Sequence, residues 1–290
     1  MADGPSIRVA SGGTTQLVHV IPLGWEFDRA VLPFLARGSE PPVYHAHRFH
    51  LLVAGTTLAK DFPIRVEEEL RKLAPVNRHS IQRNDPVTSR IVELEQVLEV
   101  ASQICVREME AGNRVHINVS AGSKLAALAA GLAGMAHLRG GKGSVYYVVP
   151  ERYSTTEVEF RTHGLSIGMR TVQELDLIPF LLPEPLKLRL LSFLRHRTTT
   201  EVDYREVLAF LREIPGSGFR IRKNKTNEGA GKAENVDTTR MVRILLAPLE
   251  REGLVEIVSS GRMKQVRLTA HGRLFAALSA LDQPRLRRPL

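Results

Sequence analysis

Residues 116–131 read HINVSAGSKLAALAAG. A strand-forming run, VHINVS (115–120), passes through Ala121, Gly122 and Ser123 to Lys124. The chain then carries no charged residue from Leu125 to Leu138, a stretch of alanine, leucine and glycine with the spacing of a buried helix. Strand, small polar turn, helix is the repeating junction of a parallel α/β sheet. Outward from this junction the alternation returns. LVHVIP (17–22) is followed by the helical pattern FDRAVLPFLARG, and FHLLVA (49–54) by FPIRVEEELRKLA. A weaker strand near HSIQR (79–83) precedes a long helical pattern from about Pro86 to Ala111, and SVYYVV (144–149) closes the series. With right-handed crossovers these segments predict a doubly wound, mainly parallel, Rossmann-like α/β domain over residues 14–178.

A second domain, 179–284, follows Pro179, Pro183 and Pro185. PLKLRLLSFLRHR and EVDYREVLAFLREI have helical spacing, and DTTRMVRILLAPLEREGLV predicts a helix capped by Asp237 or Thr238 and stopped at Gly253. VEIVSSGRMKQVRLT reads as two strands about a turn at Ser260-Gly261, and AHGRLFAALSAL as a last helix. Helix, helix, hairpin, helix is the order of a winged helix-turn-helix. The chain's 290 residues suffice for two cores.

Charge divides the two parts. The formal net charge is +9, of which residues 219–290 carry +8 and residues 1–218 only +1. A basic domain joined to a neutral one predicts a polyanion, double-stranded DNA, as partner of the C-terminal part, with protein docking as the other use of a winged helix. The single cysteine, Cys105, excludes an intramolecular disulfide and predicts a reducing compartment. Residues 1–16 are polar and glycine-rich, and no uncharged stretch reaches the ~20 residues of a membrane span. The reading is a cytoplasmic protein without a membrane partner.

In a doubly wound sheet ligands bind beyond the carboxyl ends of the strands, where strand order reverses. In the order 3-2-1-4-5 the loops at that point are LGWEFDR (23–29) and SAGSK (120–124). Gly122 permits close approach to the backbone, Ser120, Ser123 and the free helix amides can donate to phosphate oxygens, and Lys124 adds a compact positive charge. The same turn serves equally as an ordinary helix cap. Trp25 and Phe27 suit either base stacking or packing, and Glu26 with Asp28 lacks a matching base or nucleophile. LGWEFDR is neither a Walker loop nor a G-x-G-x-x-G loop, which argues against NTP hydrolysis and dinucleotide binding. HAHRFH (45–50) offers His45 and His47, but no further ligands complete a metal set, and neither metal nor cofactor is expected.

NVSAGSK with its small-residue helix, together with VHVIPLGWEFDRAV, resembles the two signature regions of the CRISPR-associated Rossmann fold (CARF). Asn118, Ser120, Gly122, Ser123 and Lys124 match or conservatively replace that family's N-x-T-G-G-T-K, and Ala121 stands where the family has glycine, which predicts a narrower site. The two-domain order resembles the archaeal CRISPR-associated transcription regulators. The resemblance implies a homodimer binding a cyclic oligoadenylate second messenger across its two-fold axis, with Gly24, Trp25, Phe27 and Asp28 near the ligand beside Ala121 and the other residues of 120–124. It implies a role in antiviral defence by transcription regulation. The alternative is a ring nuclease that degrades the messenger; the residues offer no dedicated acid or base, so no catalytic residue is assigned.

In the C-terminal domain the recognition helix would present Thr238, Thr239, Arg240 and Arg243 to the major groove, and Arg262 and Lys264 of the hairpin to phosphates. Arg220, Arg222, Lys223 and Lys225 form a basic run (RIRKNK) suited to contacts independent of sequence.

Overall fold

A computed structural model of the chain describes residues 14–54, 61–81, 89–138, 140–176, 182–219, 236–260 and 263–279. Five parallel strands, β1 (Leu17–Leu23), β2 (Arg48–Ala54), β3 (Val76–Ile81), β4 (Arg114–Asn118) and β5 (Gly143–Val149), lie in the order β3-β2-β1-β4-β5. The expected order is therefore the observed one, and strand order reverses between β1 and β4. Val18, Val20 and Ile21 of β1 are fully buried, as a strand covered on both faces requires.

Helices α2 (Asp61–Arg71), α3 (Ser89–Glu110) and α4 (Lys124–His137) follow the second, third and fourth strands; a short turn, α1 (Asp28–Val31), follows the first. The expected helix at 27–38 stops there because Pro33 cannot donate to the ladder, and Leu32–Phe34 tighten into a 3-10 turn. One core lies under α3 and α4, where Val20, Ile117 and Val145 meet Leu98, Ile104, Ala129 and Ala133. A second lies on the opposite face, where Ile21, Phe49 and Leu51 meet Phe34, Val66 and Leu70. Small residues let α4 lie close to the sheet: a Cβ on Gly134 would come within 2.3 Å of a Val145 methyl.

The series does not close at β5. A hairpin insert of β6 (Arg152–Tyr153), α5 (Glu157–His163) and β7 (Ser166–Ile167) precedes β8 (Thr171–Leu175), which adds an antiparallel edge to β5. The alternation of exposed residues in TVQEL is that of a solvated edge, and the long apolar strand signal is absent there.

The C-terminal part contains α6 (Pro185–Arg195), β9 (Glu201–Asp203), α7 (Tyr204–Glu213), a helical run α8 over 236–251, the hairpin β10 (Val255–Ser260) and β11 (Met263–Leu268), and α9 (Ala270–Leu278). Its sheet runs β10-β11-β9, and the whole is a winged helix. The start of EVDYREVLAFLREI is strand: Val202 pairs with Val266, and Asp203 then caps α7 by accepting the Arg205 amide at 2.7 Å. Gly253 has φ 69°, the left-handed stop expected after α8. The helix is already formed at residue 236, so Asp237 does not cap it; its carboxylate accepts from Arg212 at 2.8 Å instead. Among the described residues no helix is long and apolar enough to cross a membrane.

Candidate functional site

The loops leaving β1 and β4 are joined at the point of strand reversal. The Gly24 amide donates to the Ala121 carbonyl at 2.8 Å, and a Cβ on Gly122 would lie 2.7 Å from the Pro22 side chain. Below this contact Asn118 is fully buried and organises the second loop. Its Oδ1 accepts the Ser120 amide at 2.8 Å and the Ser120 hydroxyl, and its Nδ2 donates to the Arg29 carbonyl at 2.9 Å. Ser120 is buried as well. Ser123 takes the N-cap of α4 and accepts the Ala126 amide at 3.1 Å, a bond that stabilises such a helix by about 1 kcal/mol.

The residues predicted from the second loop thus divide in two. Asn118, Ser120 and Ala121 are buried scaffold, whereas Gly122, Ser123 and Lys124 reach the surface, with Lys124 exposed on the first turn. Ala121 is fully buried and belongs to the apolar cluster that also holds Ile21, Leu23 and Phe34.

Of the first loop, Gly24 shapes the backbone and Trp25 lies at the surface, 37% exposed, edge-on to Phe160 at 5.3 Å. Asp28 is buried and turned toward the hairpin insert, accepting the Gly168 amide at 2.7 Å and lying 3.1 Å from His163 Nδ1. Phe27 packs under the Arg65 guanidinium at 4.8 Å, and Arg65 donates to the carbonyls of Arg161 and Thr162. Both residues thereby fasten the insert over the loop. Gly164, with φ 89°, permits the contact, since any Cβ there would lie 1.7 Å from the Trp25 carbonyl oxygen.

Arg29, which the sequence reading did not single out, is the charged centre of the site. Its side chain is buried; Nη1 donates to the Ser120 carbonyl at 3.3 Å and the Tyr147 hydroxyl at 3.1 Å, while Nε and Nη2 are buried without hydrogen-bond partners. The guanidinium faces the rings of Tyr147 and Tyr153 at 5.4 and 5.6 Å. Glu26 approaches to 3.9 Å, but burial pushes its carboxyl above the usual range, against the opposing effects of the Ser166 hydroxyl and Arg29 itself. Burial thus disfavours the carboxylate form of Glu26 beside the Arg29 guanidinium. An arginine in EFDRAV looks like any first-turn residue, and no spacing in the sequence would have found it.

The histidines of 45–50 go separate ways. His47 Nδ1 accepts the Leu17 amide at 3.0 Å, the His45 carbonyl faces His19, and His50 joins His79 and Glu108. Among the described residues no three His, Cys, Asp or Glu side chains are grouped to hold a metal.

In the winged helix, Thr239, Arg240 and Arg243 are exposed on α8 and Thr238 is half-buried; Ile244 adds an exposed apolar side chain to this face. Arg240 folds back, donating to the Gly218 carbonyl at 3.0 Å and covering the Phe219 ring at 5.4 Å. Lys264 is exposed on β11. Arg220, Arg222, Lys223, Lys225 and Arg262 lie outside the described residues.

Comparison with known proteins gives two family matches. Residues 17–153 match the HFX_2341_N model, described as "-like, N-terminal", and residues 186–280 match the DUF6293 C-terminal winged helix domain. No curated protein matches. Among solved structures, the chain is similar to Csm6 from Enterococcus italicus bound to cyclic hexa-2'-fluoro-hexa-dAMP (14% identity, 83% of this chain, 59% of that one, TM-score 0.37). It is similar also to Can2 from Sulfobacillus thermosulfidooxidans in complex with cyclic tetra-adenylate (14% identity, 90% of this chain, 63% of that one, TM-score 0.32). A third is protein VC1899 from Vibrio cholerae (14% identity, 91% of this chain, 66% of that one, TM-score 0.32). The chain spans about three fifths of the length of the first two. A Rossmann-like α/β domain matching the HFX_2341_N model, followed by a DUF6293-type winged helix, is the architecture of this chain.

Proposed function

We propose that this chain, an HFX_2341_N-like N-terminal domain joined to a DUF6293-type winged helix, is a cytoplasmic, homodimeric transcription regulator whose N-terminal domain senses a cyclic oligoadenylate and whose winged helix binds double-stranded DNA. The observation that carries the reading is the anion-suited mouth at the strand reversal. Gly122, Ser123 and Lys124 are accessible at the start of α4, and the Arg29 guanidinium, with two nitrogens lacking hydrogen-bond partners, donates to the Ser120 carbonyl at 3.3 Å. A helix amino terminus, a lysine and a buried guanidinium all favour phosphate over a neutral ligand. The +8 balance of residues 219–290 and the exposed Arg243 on α8 support a duplex partner for the second domain.

Sensing is favoured over ring cleavage by the hydroxyls of Ser120 and Ser123. Ser120 Oγ donates to Asn118 and Ser123 Oγ caps α4, so each already has a structural task. Calorimetric titration with cyclic tetra- and hexa-adenylate, combined with chromatography for linear products, tests the reading. Binding without turnover, together with a change in duplex affinity, is the expected result.

A further inference from the structure

Helix α9 connects the end of α4 to the end of α8. Its last residues, Ala277 and Leu278, belong to the N-terminal domain's buried cluster, which includes Ile104, Ala133 and Leu138. There the last residue of α4, His137, lies with Nε2 3.1 Å from the Leu278 carbonyl; because a carbonyl only accepts, Nε2 carries the proton. At the other end, Thr269 caps α9 and holds the residues that leave α8. Its hydroxyl donates to the Gly253 carbonyl at 2.7 Å, and its amide to the Leu254 carbonyl at 3.2 Å. Gly272 lies so close that a Cβ would stand 1.9 Å from the Leu254 oxygen. Helix α3 flanks the assembly, with Glu95 paired to Arg273 at 3.3 Å and Glu99 to Arg195 at 2.8 Å.

We propose that α9 is a strut that carries displacement of α4 to the recognition helix, with His137 and Thr269 as positioning residues at its two ends. The regulatory role rests on the functional reading above; the mechanical role does not. Helix α4 begins at Lys124 in the anion mouth, so occupation of the mouth acts on the helix whose other end holds Leu278. Close-packed interiors transmit small rigid-body shifts of about 1–2 Å rather than absorbing them. A nine-residue helix tied at both ends then moves Gly253 and Leu254, and with them the carboxyl end of α8. A coupling of this kind changes affinity by roughly 5- to 150-fold.

The test uses the full chain, His137→Ala and His137→Gln, which keeps an N–H donor, with cyclic tetra-adenylate and a duplex selected on the wild-type protein from a random pool. In His137→Ala the separate affinities for ring and duplex should stay within about twofold, while the ring's effect on duplex affinity falls toward none; His137→Gln should restore at least half of it. Undiminished response in His137→Ala overturns the strut. Absence of ring binding by the wild type instead contradicts the functional reading, and hydrogen exchange without ligand then decides the strut by itself. His137→Ala should speed exchange of the amides at 249–254, whereas unchanged exchange there overturns it.

Discussion

The Gly24 amide donates to the Ala121 carbonyl at 2.8 Å, so the loops after β1 and β4 form one backbone unit at the point where strand order reverses. Gly122→Ala should disturb that unit, since its Cβ would stand 2.7 Å from the Pro22 side chain. The expected cost is about 1–3 kcal/mol, read as a lower unfolding midpoint, together with loss of ligand binding.

Lys124 is exposed at the amino end of α4 and has a different role. Lys124→Ala should weaken an anionic ligand by about tenfold or more, the value of one charge-assisted contact, while leaving stability and duplex affinity nearly unchanged. Unchanged ligand affinity would remove this residue from the site.

Arg29→Met removes one partner of the buried pair with Glu26. Glu26, with its carboxyl already raised by burial, can take up a proton once the cation is gone, which offsets part of the cost. Removing one partner of a buried pair otherwise costs about 3–5 kcal/mol. The thermal midpoint should therefore fall, by less than that full cost, and affinity for a phosphate ligand should fall as well, as paired melting and calorimetric measurements would read.

Arg243→Ala should weaken duplex binding across sequences and lower the slope of log affinity against log salt by about one, without changing ring affinity. Arg240, occupied with Gly218 and Phe219, should give a smaller effect unless duplex binding releases it.

Glu99 on α3 meets Arg195 and His196 of the winged helix, and this contact depends on pH. Hydrogen bonding to Glu99 raises the His196 imidazole, so its contribution is full below the ordinary value of 6.5 and is lost as pH rises through the shifted one. Burial acts to raise Glu99, but the His196 bond and Arg195 more than reverse it. Its contribution is therefore present above the ordinary 4.5 and is lost as pH falls through the lowered value. Cooperative unfolding of the two domains should be strongest between about pH 4.5 and 6.5, and Glu99→Gln should flatten the dependence in pH-scanned calorimetry.

The parallel sheet was legible because β1 and β2 are buried on both faces and therefore read as largely apolar runs. Even His19 fits this rule, since burial lowers its pKa to about 3 and keeps it neutral within β1. The edge strand β8 and the 152–167 insert were not legible because solvated residues have no need of an apolar period. In the site, the mouth at 122–124 was visible as a motif. The functions of Asp28 and Phe27 were not, because their partners, Gly168, His163 and Arg65, are far away in sequence. Arg29 had no local signature at all.

The most direct measurement is a calorimetric titration of the full chain with cyclic tetra- and hexa-adenylate, followed by chromatography of the mixture. The account predicts saturable binding of one of the rings, one ring per two chains, with the ring recovered intact. Failure of both rings to bind, or their rapid conversion to linear products, would contradict it.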